Sequence, residues 1–157
     1  MKPKVYLETT VLSYLTSEPS RDLIVAAHQQ LTRDWWENRR TFFDLYASQL
    51  VLQEASAGDK QYAKLRLNAL QQTALLEVTD TAYSFSEELI EHGPVPRKAA
   101  TDALHIATAV VNGIDYLLTW NCRHIANAKM RNQIDRVCRV NGYEPIIICT
   151  PEELMED

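Results

Sequence analysis

Strand and helix signals alternate from one end of this chain to the other, and that alternation leaves few architectures open. Val5-Tyr6-Leu7 is a short apolar run of strand type, and the Thr9-Thr10 pair after it can cap a short helix carrying Val11, Leu12, Tyr14 and Leu15. Pro19-Ser20 stops one element and starts the next. Ser20 is a good N-cap, and Leu23, Ile24, Ala27, Leu31 and Trp35 recur at helical spacing in a helix expected to run to about Arg40. Phe43, Leu45 and Tyr46 mark a second strand, after which Ser48 can cap a turn or helix that carries Val51, Leu52 and Glu54. Gly58-Asp59 breaks the pattern. Residues 60–72 read as a helix with Tyr62, Leu65 and Leu70 inward, 75–78 as a strand, and 80–92 as a helix ended by Gly93-Pro94. A helix over 97–112 is apolar for much of its length and stops at Asn112-Gly113. Tyr116-Leu117-Leu118-Thr119 is the strongest strand signal; a polar helix over 126–141, a strand over 146–148 and a short helix opened by Pro151 follow. Helices of this length between strands imply a parallel sheet covered on both faces, so the expected fold class is α/β: a three-layer α/β/α domain with a central parallel sheet. Strand order is not fixed by such a pattern.

A chain of 157 residues with 46% hydrophobic content can bury roughly 68–70% of its unfolded surface as one domain, expected to span 1–157. Its apolar runs fall far short of the ~20 residues that cross a bilayer, and no apolar signal segment opens it, so a cytoplasmic protein with no membrane partner is expected. Cys122, Cys138 and Cys149 are odd in number and form no CxxC pair, which argues against a disulfide framework or structural zinc and for buried or inert thiols. The net charge of −5 argues against a duplex-DNA binder coated in basic residues. Yet between Arg97 and Arg139 seven Lys or Arg stand against three acids, a balance that would suit a polyanion and that solvated helix faces also show.

Glycine-rich phosphate loops and a GxSxG elbow are absent from the sequence, which turns attention to the acids. Glu8 falls at the first strand-to-helix junction, Glu54 after the second strand, Asp102 within the apolar helix, and Asn121 at the carboxyl end of the strongest strand. In an open parallel sheet the carboxyl ends of neighbouring strands share one crevice, so side chains far apart in sequence can meet there. A cluster of oxygen ligands in such a crevice would be a divalent-metal site and a route to phosphodiester hydrolysis. Each position also has a plainer reading. Glu8 and Glu54 could be charges at helix N-termini, Asn121 a turn residue, and Asp102 an acid paired with Arg97 or Lys98. His105, three residues beyond Asp102, could share its face as a supporting or core residue; His28, His92 and His124 carry less information.

At these residues the chain resembles the PIN-domain family, and within it the VapC-like ribonuclease toxins of type II toxin–antitoxin modules. VYLETTVLSYL is similar to the family's opening strand and turn, SQLVLQEA to its Glu-bearing segment, DALHIATA to its Asp-bearing helix, and LLTWNCRHI to its closing strand and turn. The resemblance puts Glu8 in place of the family's first Asp, Glu54 in place of its Glu, Asp102 in place of its second Asp and Asn121 in place of the fourth, more variable acid. It implies a PIN-like three-layer domain and a Mg²⁺- or Mn²⁺-dependent endoribonuclease acting on single-stranded or loop RNA. Glu8, Glu54, Asp102 and Asn121 would be its catalytic and metal-binding residues, with Thr9, Thr119 and His105 supporting them. It further implies a cognate antitoxin and a homodimer. Glu8 is one methylene longer than the usual Asp and Asn121 is neutral, so a weak or single-metal site is expected. The alternative is a catalytically degenerate PIN domain that binds RNA or a protein.

Overall fold

The structure, a computed structural model, describes residues 1–156. Five strands form one all-parallel sheet in the order β3-β2-β1-β4-β5: β1 (Lys4–Leu7), β2 (Asp44–Ser48), β3 (Ala74–Leu76), β4 (Tyr116–Leu118) and β5 (Ile147–Cys149). Parallel neighbours need crossovers, and these are α1 (Thr9–Thr16), α2 (Leu23–Asn38), α3 (Gln49–Ala55), α4 (Lys60–Leu70), α5 (Asp80–Glu91), α6 (Ala100–Val111) and α7 (Ala128–Val140). The order makes β1 the central strand. Its register sets Val5 between Leu45 and Tyr116, and Tyr6 between Tyr46 and Leu117.

Alternation along the strands separates the two cores. Val5, Leu7, Leu45 and Leu118 pack on one face with Val11 and Trp35; Tyr6, Tyr46, Leu117 and Ile148 pack on the other with residues of α3, α5, α6 and α7. Tyr6 is fully buried, and its side chain leaves β1 on the α6 side. This layering is the expected three-layer fold. Among the described residues no helix is long and apolar enough to cross a membrane.

Several local expectations are corrected. α1 is capped by Glu8, whose side chain accepts from the Thr10 N–H, so the Thr9-Thr10 pair lies inside the helix. Asp22, rather than Ser20, caps α2 through bonds from the Ile24 and Val25 N–H groups, and Leu23 and Ile24 are consequently exposed. Leu65 is also exposed; Ala63 takes the inward position on α4. Ser48 does cap α3, accepting from Val51 N at 3.3 Å. Gly113 follows α6 at φ +67°, a left-handed conformation that favours glycine. Cys138 and Cys149 are buried, which pushes their thiols up to about 11 and about 12, whereas Cys122 is exposed.

Candidate active site at the carboxyl edge of the sheet

Glu8 leaves the end of β1, its N–H continuing the ladder to Leu118 O at 3.0 Å. The side chain is only 4% exposed, a costly place for a carboxylate unless donors surround it. They do. Oε1 accepts from the Thr10 and Thr119 hydroxyls, each at 2.5 Å, and Oε2 accepts from Thr10 N at 3.2 Å. Thr10 Oγ1 also accepts from Trp120 N at 2.9 Å, which joins the start of α1 to the segment after β4.

Glu54, on the last turn of α3, is reached from two sides. The Thr9 hydroxyl donates to its Oε1 at 2.7 Å, and His105 Nε2 lies 2.6 Å from the same oxygen. Burial by itself would raise the Glu54 carboxyl. The hydrogen bond from His105, that residue's charge when protonated, and the Thr9 hydroxyl outweigh it and hold the group below its ordinary value. His105 is fully buried, and its other ring nitrogen, Nδ1, lies 2.8 Å from Tyr6 Oη, which in turn lies 2.8 Å from Ser48 Oγ.

Asp102, in the first turn of α6, is partly exposed. Arg97 does not pair with it: that guanidinium lies against Glu87 and Glu91 on α5. Instead Asn121 Nδ2 donates to Asp102 Oδ1 at 3.1 Å, and His124 Nδ1 stands 3.2 Å from Oδ2. Asn121 Oδ1 accepts from the N–H groups of Arg123 and His124 at 3.3 and 3.1 Å, so one side chain shapes the turn that carries His124 and also braces Asp102. Asn121 N donates to Thr119 Oγ1 at 2.9 Å, which closes a path of hydrogen bonds from Asp102 through Asn121 and Thr119 to Glu8.

All four sequence-selected positions thus gather at the carboxyl edge of β1, β2 and β4, linked by the hydroxyls of Thr9, Thr10 and Thr119. Both lone pairs of the Asn121 oxygen are occupied by backbone N–H groups, and its nitrogen donates to Asp102. Glu8 is buried, with three donors on its oxygens. Thr9 and Thr119 direct their hydroxyls at carboxylates rather than outward. His124, Thr10 and Tyr6 were not singled out by sequence; the Asn-x-x-His spacing at 121–124 is the signal that points to His124.

Among the described residues no three His, Cys, Asp or Glu side chains are grouped so as to hold a metal ion. Mg²⁺ does not need such a cage, since it keeps several waters and takes one or two carboxylates together with substrate phosphate. Glu54 and Asp102 fit that open kind of site: Glu54 is 37% exposed, with Oε2 free of protein hydrogen bonds among the described residues, and Asp102 is 21% exposed.

No family model matches the chain, and no curated protein is similar to it. Solved structures are. VapBC2 from Rickettsia felis, crystallised with a DNA fragment from its promoter, superposes with a TM-score of 0.59 at 15% identity, covering 94% of this chain and 98% of its own. Mycobacterium tuberculosis VapC20, a toxin that cleaves the sarcin–ricin loop, gives a TM-score of 0.59 at 15% identity over 76% of this chain and 91% of its own. The fold of this chain is that of the VapC-like PIN domains.

Proposed function

We propose that this protein is a divalent-metal-dependent endoribonuclease acting on single-stranded or loop RNA, and the toxin of a toxin–antitoxin pair. The observation that carries the reading is the convergence of Glu8, Glu54 and Asp102, from three distant segments, at the sheet's carboxyl edge: Glu8 and Asp102 share one hydrogen-bonded network, and Glu54 is bonded by the hydroxyl of Thr9, the residue after Glu8. The VapC fold supports it, and the sarcin–ricin loop cleavage by VapC20 supports an RNA substrate.

Glu54 and Asp102 would hold Mg²⁺ or Mn²⁺, with water and substrate phosphate completing its shell. When bound, the cation would supply polarisation of the scissile phosphate and a lowered pKa for water. The protein's part is preorganisation. His105 and Thr9 fix Glu54 through Oε1, which leaves Oε2 without a protein hydrogen bond among the described residues, and Asn121 fixes Asp102 through Oδ1. Glu8 is held in place by its three donors, which stop it from swinging outward. By the same reading its partners are RNA, a cognate antitoxin and a second copy of the chain, and it works in the cytoplasm.

Purified protein, mixed RNA and a Mg²⁺ or Mn²⁺ titration test this directly. Cleavage should require cation and be lost in Asp102→Asn while the variant stays folded. An Asp102→Asn protein that cleaves at the wild-type rate in saturating Mn²⁺ overturns the site. RNA retained in chelator with no product under any cation would identify a binding module instead.

A further inference from the structure

The proposed site does not account for the buried chain of polar groups that ends on Glu54. Ser48, Tyr6 and His105 are all fully buried, come from β2, β1 and α6, and meet at 2.8 Å between Ser48 Oγ and Tyr6 Oη and 2.8 Å between Tyr6 Oη and His105 Nδ1. Three polar side chains placed between the sheet and its most apolar helix carry a desolvation cost that an apolar trio of the same size would avoid.

The directions of these bonds follow from counting protons. Glu54 Oε1 is a carboxylate oxygen that already accepts from Thr9, so His105 Nε2, 2.6 Å away, carries the hydrogen. A neutral imidazole protonated at Nε2 has an acceptor at Nδ1, which Tyr6 can serve only as donor. Tyr6 is able to, because burial raises its phenol well above the ordinary value. The phenol oxygen then accepts from the Ser48 hydroxyl, and Ser48 Oγ accepts from Val51 N at 3.3 Å. Every hydrogen in the chain has an acceptor, and every bond points toward Glu54. The reverse arrangement, with Nδ1 donating to Tyr6 and Tyr6 to Ser48, leaves the buried Ser48 hydroxyl hydrogen with no acceptor among the described residues.

We propose that Ser48 and Tyr6 are positioning residues that lock His105 in its Nε2–H tautomer, so that Glu54 is clamped through Oε1 and presents Oε2 to a divalent cation in the crevice. The inference rests on the proposed cation site but concerns residues that touch neither cation nor substrate. Tyr6 acts on Glu54 from two hydrogen bonds away. Without its phenol the Nε2–H tautomer rests on Glu54 alone and leaves a buried Nδ1 lone pair without a donor, so the alternative tautomer, which turns a lone pair toward the carboxylate, is less strongly disfavoured.

The test compares Tyr6→Phe, His105→Gln and the double variant by nitrogen NMR of the imidazole and by Mn²⁺ titration calorimetry. Wild type should show His105 as the Nε2–H tautomer, and Tyr6→Phe, isosteric in the core, should lower the population of that tautomer and weaken Mn²⁺ binding by up to about 10-fold, the lower end for loss of a group bonded directly to a ligand, from which Tyr6 is one step further removed. His105→Gln keeps an N–H donor for Glu54 without any tautomer to choose, so adding Tyr6→Phe to it should change the affinity less than 2-fold, a coupling that independent structural damage would not produce. A Tyr6→Phe protein with an unchanged His105 tautomer overturns the proposal, as does a Tyr6→Phe effect that persists undiminished in the His105→Gln background. If no form of the protein binds Mn²⁺ while the tautomer still shifts in Tyr6→Phe, the relay stands and the cation reading falls.

Discussion

Asn121 illustrates how much one side chain can organise. Its oxygen holds the turn at 123–124 and its nitrogen holds Asp102, so the amide is required in full: an oxygen alone serves the turn, a nitrogen alone serves the acid. Asn121→Asp keeps the acceptor and replaces the donor with a second negative charge beside Asp102. The metal-free variant should lose on the order of 1–2 kcal/mol, from a lost bond to a charged group plus repulsion. Because a bound cation would offset that repulsion, Mn²⁺ should raise its melting temperature by more than it raises that of wild type. Urea denaturation and thermal melts with and without Mn²⁺ measure both. Unchanged metal-free stability would mean that the Asn121–Asp102 bond contributes nothing.

Where α1 meets the end of β4, the Thr10 hydroxyl bonds to both sides of the joint. Thr10 Oγ1 donates to Glu8 and accepts from Trp120 N, whereas the Thr16 hydroxyl, at the other end of the same helix, donates within the helix to Leu12 O. Thr10→Val should therefore cost about 2 kcal/mol, since it leaves a buried carboxylate oxygen and a backbone N–H each short of a partner, while Thr16→Val should stay within about 0.5 kcal/mol. Shifts in the urea midpoint distinguish the two. This joint was only partly legible in the sequence. The helices and strands could be read because their apolar spacing is local, and Ser48 could be read as a cap because its partner is three residues away. Glu8 replaced the Thr pair as cap of α1 because its carboxylate is drawn inward by Thr119, 111 positions further on, and no local pattern encodes that. Ser20 lost the cap of α2 to Asp22 for a related reason: Ser20 N donates to the buried Gln29 Oε1, and Gln29 Nε2 donates to Ser17 Oγ and Glu18 O, tying 17–20 into a loop.

The sheet order β3-β2-β1-β4-β5 brings the four positions to one edge, and it is the part of the architecture that periodicity could not supply. Given that order, the positions read from sequence meet; what stayed hidden was which carboxylate oxygens remain open, because this depends on hydroxyls and ring nitrogens contributed by other strands. The same edge bears on how a chain of net charge −5 could hold a polyanion. Arg123 is exposed on the turn that Asn121 shapes, and Lys129 is exposed at the start of the following helix, α7, so both follow closely on the segment that carries Asn121. Lys2 precedes β1 at the opposite, amino edge. If RNA crosses the carboxyl edge, each lost phosphate contact should reduce the dependence of log affinity on log salt by about 0.7, the value for single strands. Measured by anisotropy of labelled RNA in an Asp102→Asn background, which prevents turnover, replacing Arg123 and Lys129 together with Gln should lower that slope by up to about 1.4. Lys2→Gln should leave it unchanged. Equal effects from both edges would show that RNA is attracted by diffuse charge and does not lie across the acidic crevice.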